Sequence, residues 1–185
     1  MLKPLRGLLS MPFLLALLAL LGASPALAVS PNIVISQVYG GGGNTGASHR
    51  NDYVELFNRG TTSVSVTGWS VQYTSATGTG LFSANTTNLS GSIPAGGYYL
   101  VQLASNGAIG TVLPMPDATG TINMSGTAGK VLVANTTSGV ACNGSSTACN
   151  ATELAKIVDL VGYGNANFFE GAASCPSNAR EKPMV

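Results

Sequence analysis

The stretch DYVELFNRGTTSVSVTGWSVQY, Asp52 to Tyr73, decides the fold. Its second half alternates. Trp69, Val71 and Tyr73 fall on one face while Ser70, Gln72 and Thr74 fall on the other, the period of two of a half-buried strand. Its first half repeats the pattern less cleanly, with Val54 and Leu56 on one side and Tyr53, Glu55 and Phe57 on the other. Trp69, the only tryptophan, is expected to plug a small all-β core.

Outward from this pair the chain offers more strands. Ile33 to Tyr39 precedes it and runs into Gly40 to Gly43. Thr74 to Ser92 is poor in charge and reads as an irregular excursion with a short edge strand, Leu81 and Phe82 being its only large apolar pair. The turn signal Ile93-Pro94-Ala95-Gly96-Gly97 introduces a strand from Tyr98 to Ala104, with Tyr99, Val101 and Leu103 on one face. A weak strand near Thr121 to Met124, a clear one from Lys130 to Asn135 and a last one from Ile157 to Tyr163 follow, the last led in by a helical turn at Thr152 to Lys156. Six to eight short strands with turn-rich connections and no helix–strand alternation predict an antiparallel sandwich. Val54, Leu56, Trp69, Val71, Tyr73, Val101 and Leu160 are its expected core.

Met1 to Ala28 has a basic head at Lys3 and Arg6, an apolar run from Pro12 to Leu21 and the small-residue end Ala26-Leu27-Ala28, which reads as a secretory signal peptide cleaved after Ala28. The run is too short for a spanning helix. The chain thus divides into a signal peptide at 1–28, a β-sandwich at 29–170 and a tail at 171–185. Without Lys3 and Arg6, six basic residues face seven acidic ones, a net charge of about −1. Arg50, Arg59, Lys130, Lys156, Arg180 and Lys182 are scattered singly, so the clustered cations that displace counterions from nucleic acid are missing.

Three cysteines in an exported chain predict one disulfide, Cys142–Cys149, because the NGSSTA between them folds back readily. Closing so short a loop contributes about 2 kcal/mol. Cys175 has no obvious partner, and a zinc site would need more ligands than the distant His49 supplies. Gly41, Gly43 and Gly46 formally satisfy GxGxxG after a strand, but a turn and another strand follow, with no helix N-terminus to face a pyrophosphate. The loop is expected to be mobile surface. Asp52 and Glu55 read as a turn cap and a solvated strand residue or a weak cation site, and His49 as an exposed loop residue. Asp159 shares a face with Ile157, Val161 and Tyr163, so its carboxylate is expected to bond to backbone amides or to pair with Arg59. Asn85, Asn88, Asn123, Asn135, Asn143 and Asn150 are glycan acceptors if the host is a secretory eukaryote, and stay bare in a bacterium. No nucleophile, base and oxyanion site assemble, so no catalytic residue, cofactor or metal is assigned.

ISQVYGGGGN at 35–44, NDYVELFN at 51–58, GWSVQY at 68–73 and IVDLVGYG at 157–164 together resemble the bacterial lamin-tail domain over about Ile33 to Gly164. The resemblance implies an immunoglobulin-like sandwich and a non-catalytic module of an exported protein, often placed ahead of an extracellular nuclease-type or other hydrolase domain. It supplies no catalytic residues. After Gly164 such domains continue into a further strand, whereas here FFEGAASCPSNAREKPMV closes the sequence, so the chain reads as a fragment or as clipped near Gly171. A missing strand would leave a sheet edge open.

The expected role is therefore an exported interaction or positioning module, whose partner is an unknown macromolecule or a hydrolase domain of the same protein. Its partner surface is expected on the Gly40 to Arg50 loop and exposed aromatics. The alternative is a free-standing adhesive or glycan-binding sandwich in which Tyr98 or Tyr163 stacks on sugars.

Overall fold

A computed structural model describes Ser30 and residues 32–176, so the expected signal peptide and the basic residues Arg180 and Lys182 lie outside the described residues. The strands are β1 (Ile33–Tyr39), β2 (Tyr53–Asn58), β3 (Val64–Ser65), β4 (Ser70–Thr74), β5 (Thr86–Asn88), β6 (Ser92–Ile93), β7 (Tyr98–Gln102), β8 (Ala118–Thr119), β9 (Gly129–Ala134) and β10 (Ile157–Tyr163), with the short helix α1 (Ala151–Leu154) before the last. One sheet runs β1-β2-β7-β8, the other β10-β9-β4-β5, and β3 and β6 form a small ribbon. Every pairing is antiparallel except β7 with β8, which is parallel and departs from the expected pattern. No described helix is long and apolar enough to cross a membrane.

The alternating residues meet between the sheets. Val54 and Leu56 of β2, Tyr99 and Val101 of β7, Val71 and Tyr73 of β4, Val131 and Val133 of β9 and Val161 and Tyr163 of β10 form one buried cluster. The period-two pattern thus faces each strand inward on one side, the arrangement by which two twisted sheets share a core. Trp69 was expected at its centre and is not there. It precedes β4, is half-buried and packs against the cluster from the rim. The centre is filled by aliphatic and tyrosine side chains from β1, β2, β4, β7, β9 and β10.

The second face of β4 also departs from expectation. Ser70, Gln72 and Thr74 are buried, because a layer of connecting segments covers the β9–β4 side. Phe82, Val140, Cys142, Leu132 and Leu160 make a second apolar cluster there, so Leu160 belongs to this outer layer and not to the inter-sheet core. The polar face is accommodated by hydrogen bonds. Gln72 Oε1 accepts from the Val140 amide at 2.8 Å, Gln72 Nε2 donates to Ser70 Oγ at 2.9 Å, and Thr74 Oγ1 donates to the Gly80 carbonyl at 2.6 Å. The Cys142–Cys149 disulfide pins this layer, with Cα atoms 5.1 Å apart.

The weak strand expected near Thr121 is displaced to Ala118–Thr119, while Ile122 and Met124 are buried in the inter-sheet core as irregular chain. Beyond Gly164 the chain turns back. Cys175 N–H donates to the Gly162 carbonyl and Gly164 N–H to the Cys175 carbonyl, both at 2.8 Å, so a single parallel bridge covers part of the β10 edge that was expected to stand open.

Candidate functional site

Two regions concentrate polar chemistry. The first is the loop end above β1 and β2. Tyr39, at the end of β1, lies stacked on Tyr53 at 5.3 Å, and His49 meets both rings edge-on at 5.2 and 5.5 Å. The Tyr39 hydroxyl accepts from the Ser48 and His49 amides at 2.8 and 3.2 Å. His49 is therefore half-buried, and its Nδ1 is enclosed without a hydrogen-bond partner, where an exposed loop histidine was expected. The aromatic pair at a strand end supplies the hydrophobic seat that sequence spacing alone does not display.

Asp52 organises the glycine loop. Its side chain is fully buried, and its two oxygens accept from the Gly42 and Met124 amides at 2.6 Å each. Burial pushes its carboxyl above the usual aspartate value, and the amides of Gly42, Met124 and Gly41 pull it back. Gly41 N–H donates to Met124 O and Gly43 N–H to His49 O, both at 3.1 Å, so the loop amides are engaged within the protein and not presented to an anion. A Cβ on Gly42 would collide with the Asn51–Asp52 backbone and one on Gly43 with Gly107. The loop expected to be mobile is thus packed against its neighbours, with Gly40 to Gly43 buried. Asp52 was expected as a turn cap, and the cap comes with complete burial. Glu55 faces elsewhere, accepting from Ser36 Oγ at 2.7 Å.

A second loop lies on this framework. Gly43 bridges to Ile109 and His49 to Thr111, Arg50 N–H donates to Thr111 O at 2.9 Å, and Leu113 packs on Tyr39 and Tyr53. This leaves Ile109, Val112 and Met115 exposed, Met115 to 94%. Tyr98, 62% exposed, lies tilted against Phe57 with ring centroids 4.8 Å apart. Tyr163, expected as an exposed platform, is buried and donates its hydroxyl proton to the Ser125 carbonyl at 2.6 Å. Alternation placed it on the inward face of β10, where it can meet no sugar.

The second region is the open side of the sandwich, where edge strands β1 and β10 face each other. The β1–β2 register slips between Ile35 and Gln37, and the β10–β9 register slips between Ile157 and Asp159. These irregularities bring Asp159 Oδ2 to the outward amide of Ile35, which donates to it at 2.6 Å. The expected amide partner is present, and Arg59 contributes its charge while donating to the Ser30 carbonyl. An acid was not foreseen: Glu170, whose Oε1 is buried without a hydrogen-bond partner, lines with Asp159 a groove of about 510 Å³ whose walls include Val34, Ile35, Phe57, Leu160 and Val161. Burial and then the Asp159 charge push Glu170 up to about 7, and burial raises Asp159 as well. The signal in the sequence was Asp159 alone, a carboxylate in an apolar strand. Its neighbour in the groove comes from beyond a turn, in FFEG, where no periodicity marks it.

Lys130 was also missed as a buried charge. It is fully enclosed and donates to Asn143 O at 2.8 Å and Asn167 Oδ1 at 3.0 Å, and burial lowers its pKa. Asn143, one of the possible glycan acceptors, is equally buried, its Oδ1 accepting from the Ser145 and Thr147 amides at 2.9 and 3.0 Å. Among the described residues, no group of three or more His, Cys, Asp or Glu side chains is placed to hold a metal.

Two packed sheets, a shared apolar core and connections crowded at one end define an immunoglobulin-like β-sandwich. The Lamin Tail Domain family model matches residues 27–165, and the chain belongs to that family. No curated protein matches the chain. Among solved structures it is similar to a DUF4876 family protein from Bacteroides thetaiotaomicron VPI-5482, at 12% identity and a TM-score of 0.45. That likeness covers 75% of this chain and 55% of the other, so the chain spans little more than half of that protein's length.

Proposed function

We propose that this lamin tail domain is exported and acts as a non-catalytic interaction or positioning module, the front part of a larger secreted hydrolase of nuclease type. The observation that carries the reading is the loop end. A buried carboxylate and an aromatic seat fix two loops, and those loops hold Ile109, Val112 and Met115 out in solvent. A rigid framework presenting apolar side chains is the form a protein-binding surface takes, because little ordering entropy is lost on contact. The Cys142–Cys149 disulfide supports an oxidising compartment.

The test begins with the gene read beyond codon 185 in all frames. If a hydrolase domain follows, that enzyme is compared with and without residues 29–170, and with Met115→Glu in the intact protein. A rise in KM with kcat preserved is expected from the deletion, and a smaller rise from Met115→Glu. Hydrolysis of duplex DNA or phosphate esters by the isolated chain, copurifying through several steps, would defeat the non-catalytic reading.

A second reading rests on Tyr98, whose exposed ring braced by Phe57 suits a sugar face. A solid-phase glycan screen decides it. Binding lost in Tyr98→Ala supports an adhesive module, and an empty screen removes it.

A further inference from the structure

We propose that the groove between β1 and β10 is a docking site for a basic side chain of a partner polypeptide, a lysine or arginine whose aliphatic stem lies along the apolar walls while its charged head meets Asp159 and Glu170. The groove has a volume of about 510 Å³, within the range of roughly 300 to 1,000 Å³ that ligand sites occupy. Val34, Ile35, Phe57, Leu160 and Val161 supply its apolar walls, and Tyr98 braces Phe57 with ring centroids 4.8 Å apart. The remaining wall, from Glu170 to Cys175, stands preformed. Before it, Asn167 N–H donates to Ala76 O at 3.2 Å; at its far end Ser174 Oγ donates to Gly164 O at 2.7 Å and Cys175 N–H to Gly162 O at 2.8 Å. Seating a ligand therefore requires no movement of the segment, and little ordering entropy opposes it.

The polar groups select the occupant. Asp159 Oδ2 accepts from the Ile35 amide at 2.6 Å, whereas Glu170 Oε1 is buried with no hydrogen-bond partner among the described residues. Such an atom has lost water without gaining a donor, a cost that a ligand N–H relieves. Two carboxyl groups face one guanidinium on these walls. Arg59 donates to the Ser30 carbonyl, and its charge is the weakest of the influences acting on either acid. The excess is acidic, so the groove attracts a cation and repels an anion. A bare metal ion needs a shell of oxygen ligands that these apolar walls do not offer. An alkyl stem ending in a cation, as in lysine and arginine, matches both the walls and the acids.

The two edges point to a polypeptide as the source of that side chain. β1 ends one sheet and β10 ends the other, and an edge strand keeps a row of backbone groups along which another chain can run. On β10 the Gly162 carbonyl and the Gly164 amide point outward, where Cys175 takes both. Two residues earlier the strand period turns the Leu160 carbonyl the same way, toward a partner's backbone N–H. Ile109, Val112 and Met115 lie outside the groove walls, so this site stands whichever partner the loop end takes.

NMR titration of the purified protein tests this with acetyl-valyl-lysyl-valine amide, the same peptide carrying norleucine for lysine, and n-butylamine as the bare side chain. The lysyl peptide should shift the amides of Ile35, Leu160 and Gly171 with a Kd of about 1 mM. The norleucine peptide should bind roughly tenfold more weakly, because it keeps the stem and loses the charged donor. Glu170→Gln should weaken the lysyl peptide by a similar factor, with unchanged amide resonances at Gly41 to Gly43 reporting an intact fold. n-Butylamine should bind at least about tenfold more weakly than the lysyl peptide, since it brings no backbone to the edge. Equal affinity for the lysyl and norleucine peptides, or a Glu170→Gln variant that binds as the wild type does, overturns the cation site. Butylamine binding as tightly as the peptide overturns the polypeptide source, and an absence of shifts at about 20 mM lysyl peptide overturns the proposal outright.

Discussion

Asp52 and Asp159 are two buried aspartates that the same fold uses in opposite ways. Asp52 meets backbone N–H groups, Gly42 and Met124 at 2.6 Å each, which cannot lose a proton or change charge. Asp159 accepts from the Ile35 amide at 2.6 Å and shares its groove with Glu170, an acid that can do both. The loop end is consequently an anchor, and the open side is a place where solution conditions can act. Burial alone decides neither outcome; the partner does.

The contrast breaks most visibly at Asp52. Asp52→Ala strands two buried amides, and urea unfolding should show a loss of about 3 kcal/mol with the amide resonances of Gly41 to Gly43 displaced. A loss below about 1 kcal/mol would mean that water replaces the carboxylate and that the loop is no anchor. Replacing both Cys142 and Cys149 by serine should cost about 2 kcal/mol, measured the same way, and should leave the Asp52 loop end unchanged, since the disulfide belongs to the outer apolar layer and Asp52 does not. Asp159→Asn retains an acceptor for Ile35 and should cost about 1 kcal/mol at acid pH. Its wild-type parent should lose stability as pH rises through about 7, a slope absent from Glu170→Gln. Met115→Glu, on a side chain 94% exposed, should move the midpoint by less than about 0.5 kcal/mol, so that any effect on partner binding is clean.

Much of the sandwich was written in the period-two stretches, because alternation reports which side of a strand is apolar irrespective of what covers it. Val54, Leu56, Val71, Tyr73 and Val101 lie in the inter-sheet core. Alternation is silent on the opposite face. Ser70 and Gln72 read as solvent-facing because polar side chains are the same letters whether water or a covering loop satisfies them, and part of the cover comes from far along the chain, as in the Gln72–Val140 bond across 68 positions. Trp69 misled for a related reason: its size argues for burial, while its place before β4 leaves it at the rim. The candidate sites were less legible still. GGGGN looks like slack chain until Asp52 and Met124 are brought to it, and Glu170 carries no pattern at all. What these residues do depends on tertiary neighbours that local spacing does not encode.

The bond between the Ile35 amide and Asp159 has a further consequence, in time instead of energy. It joins positions 124 residues apart, the first strand to the last. During synthesis β1 leaves the ribosome early and finds β2 soon after, yet the residue that ties its outer edge emerges 124 positions after Ile35. The sandwich cannot close stepwise from the N-terminus. Its folding rate should be governed by the slow meeting of distant segments, in roughly the millisecond-to-second range of non-local β topologies. Until then the outer edge of β1 is a temporary adhesive strip, and a holding chaperone that shields Ile33 to Tyr39 would raise the yield of native protein more than one acting on any later strand.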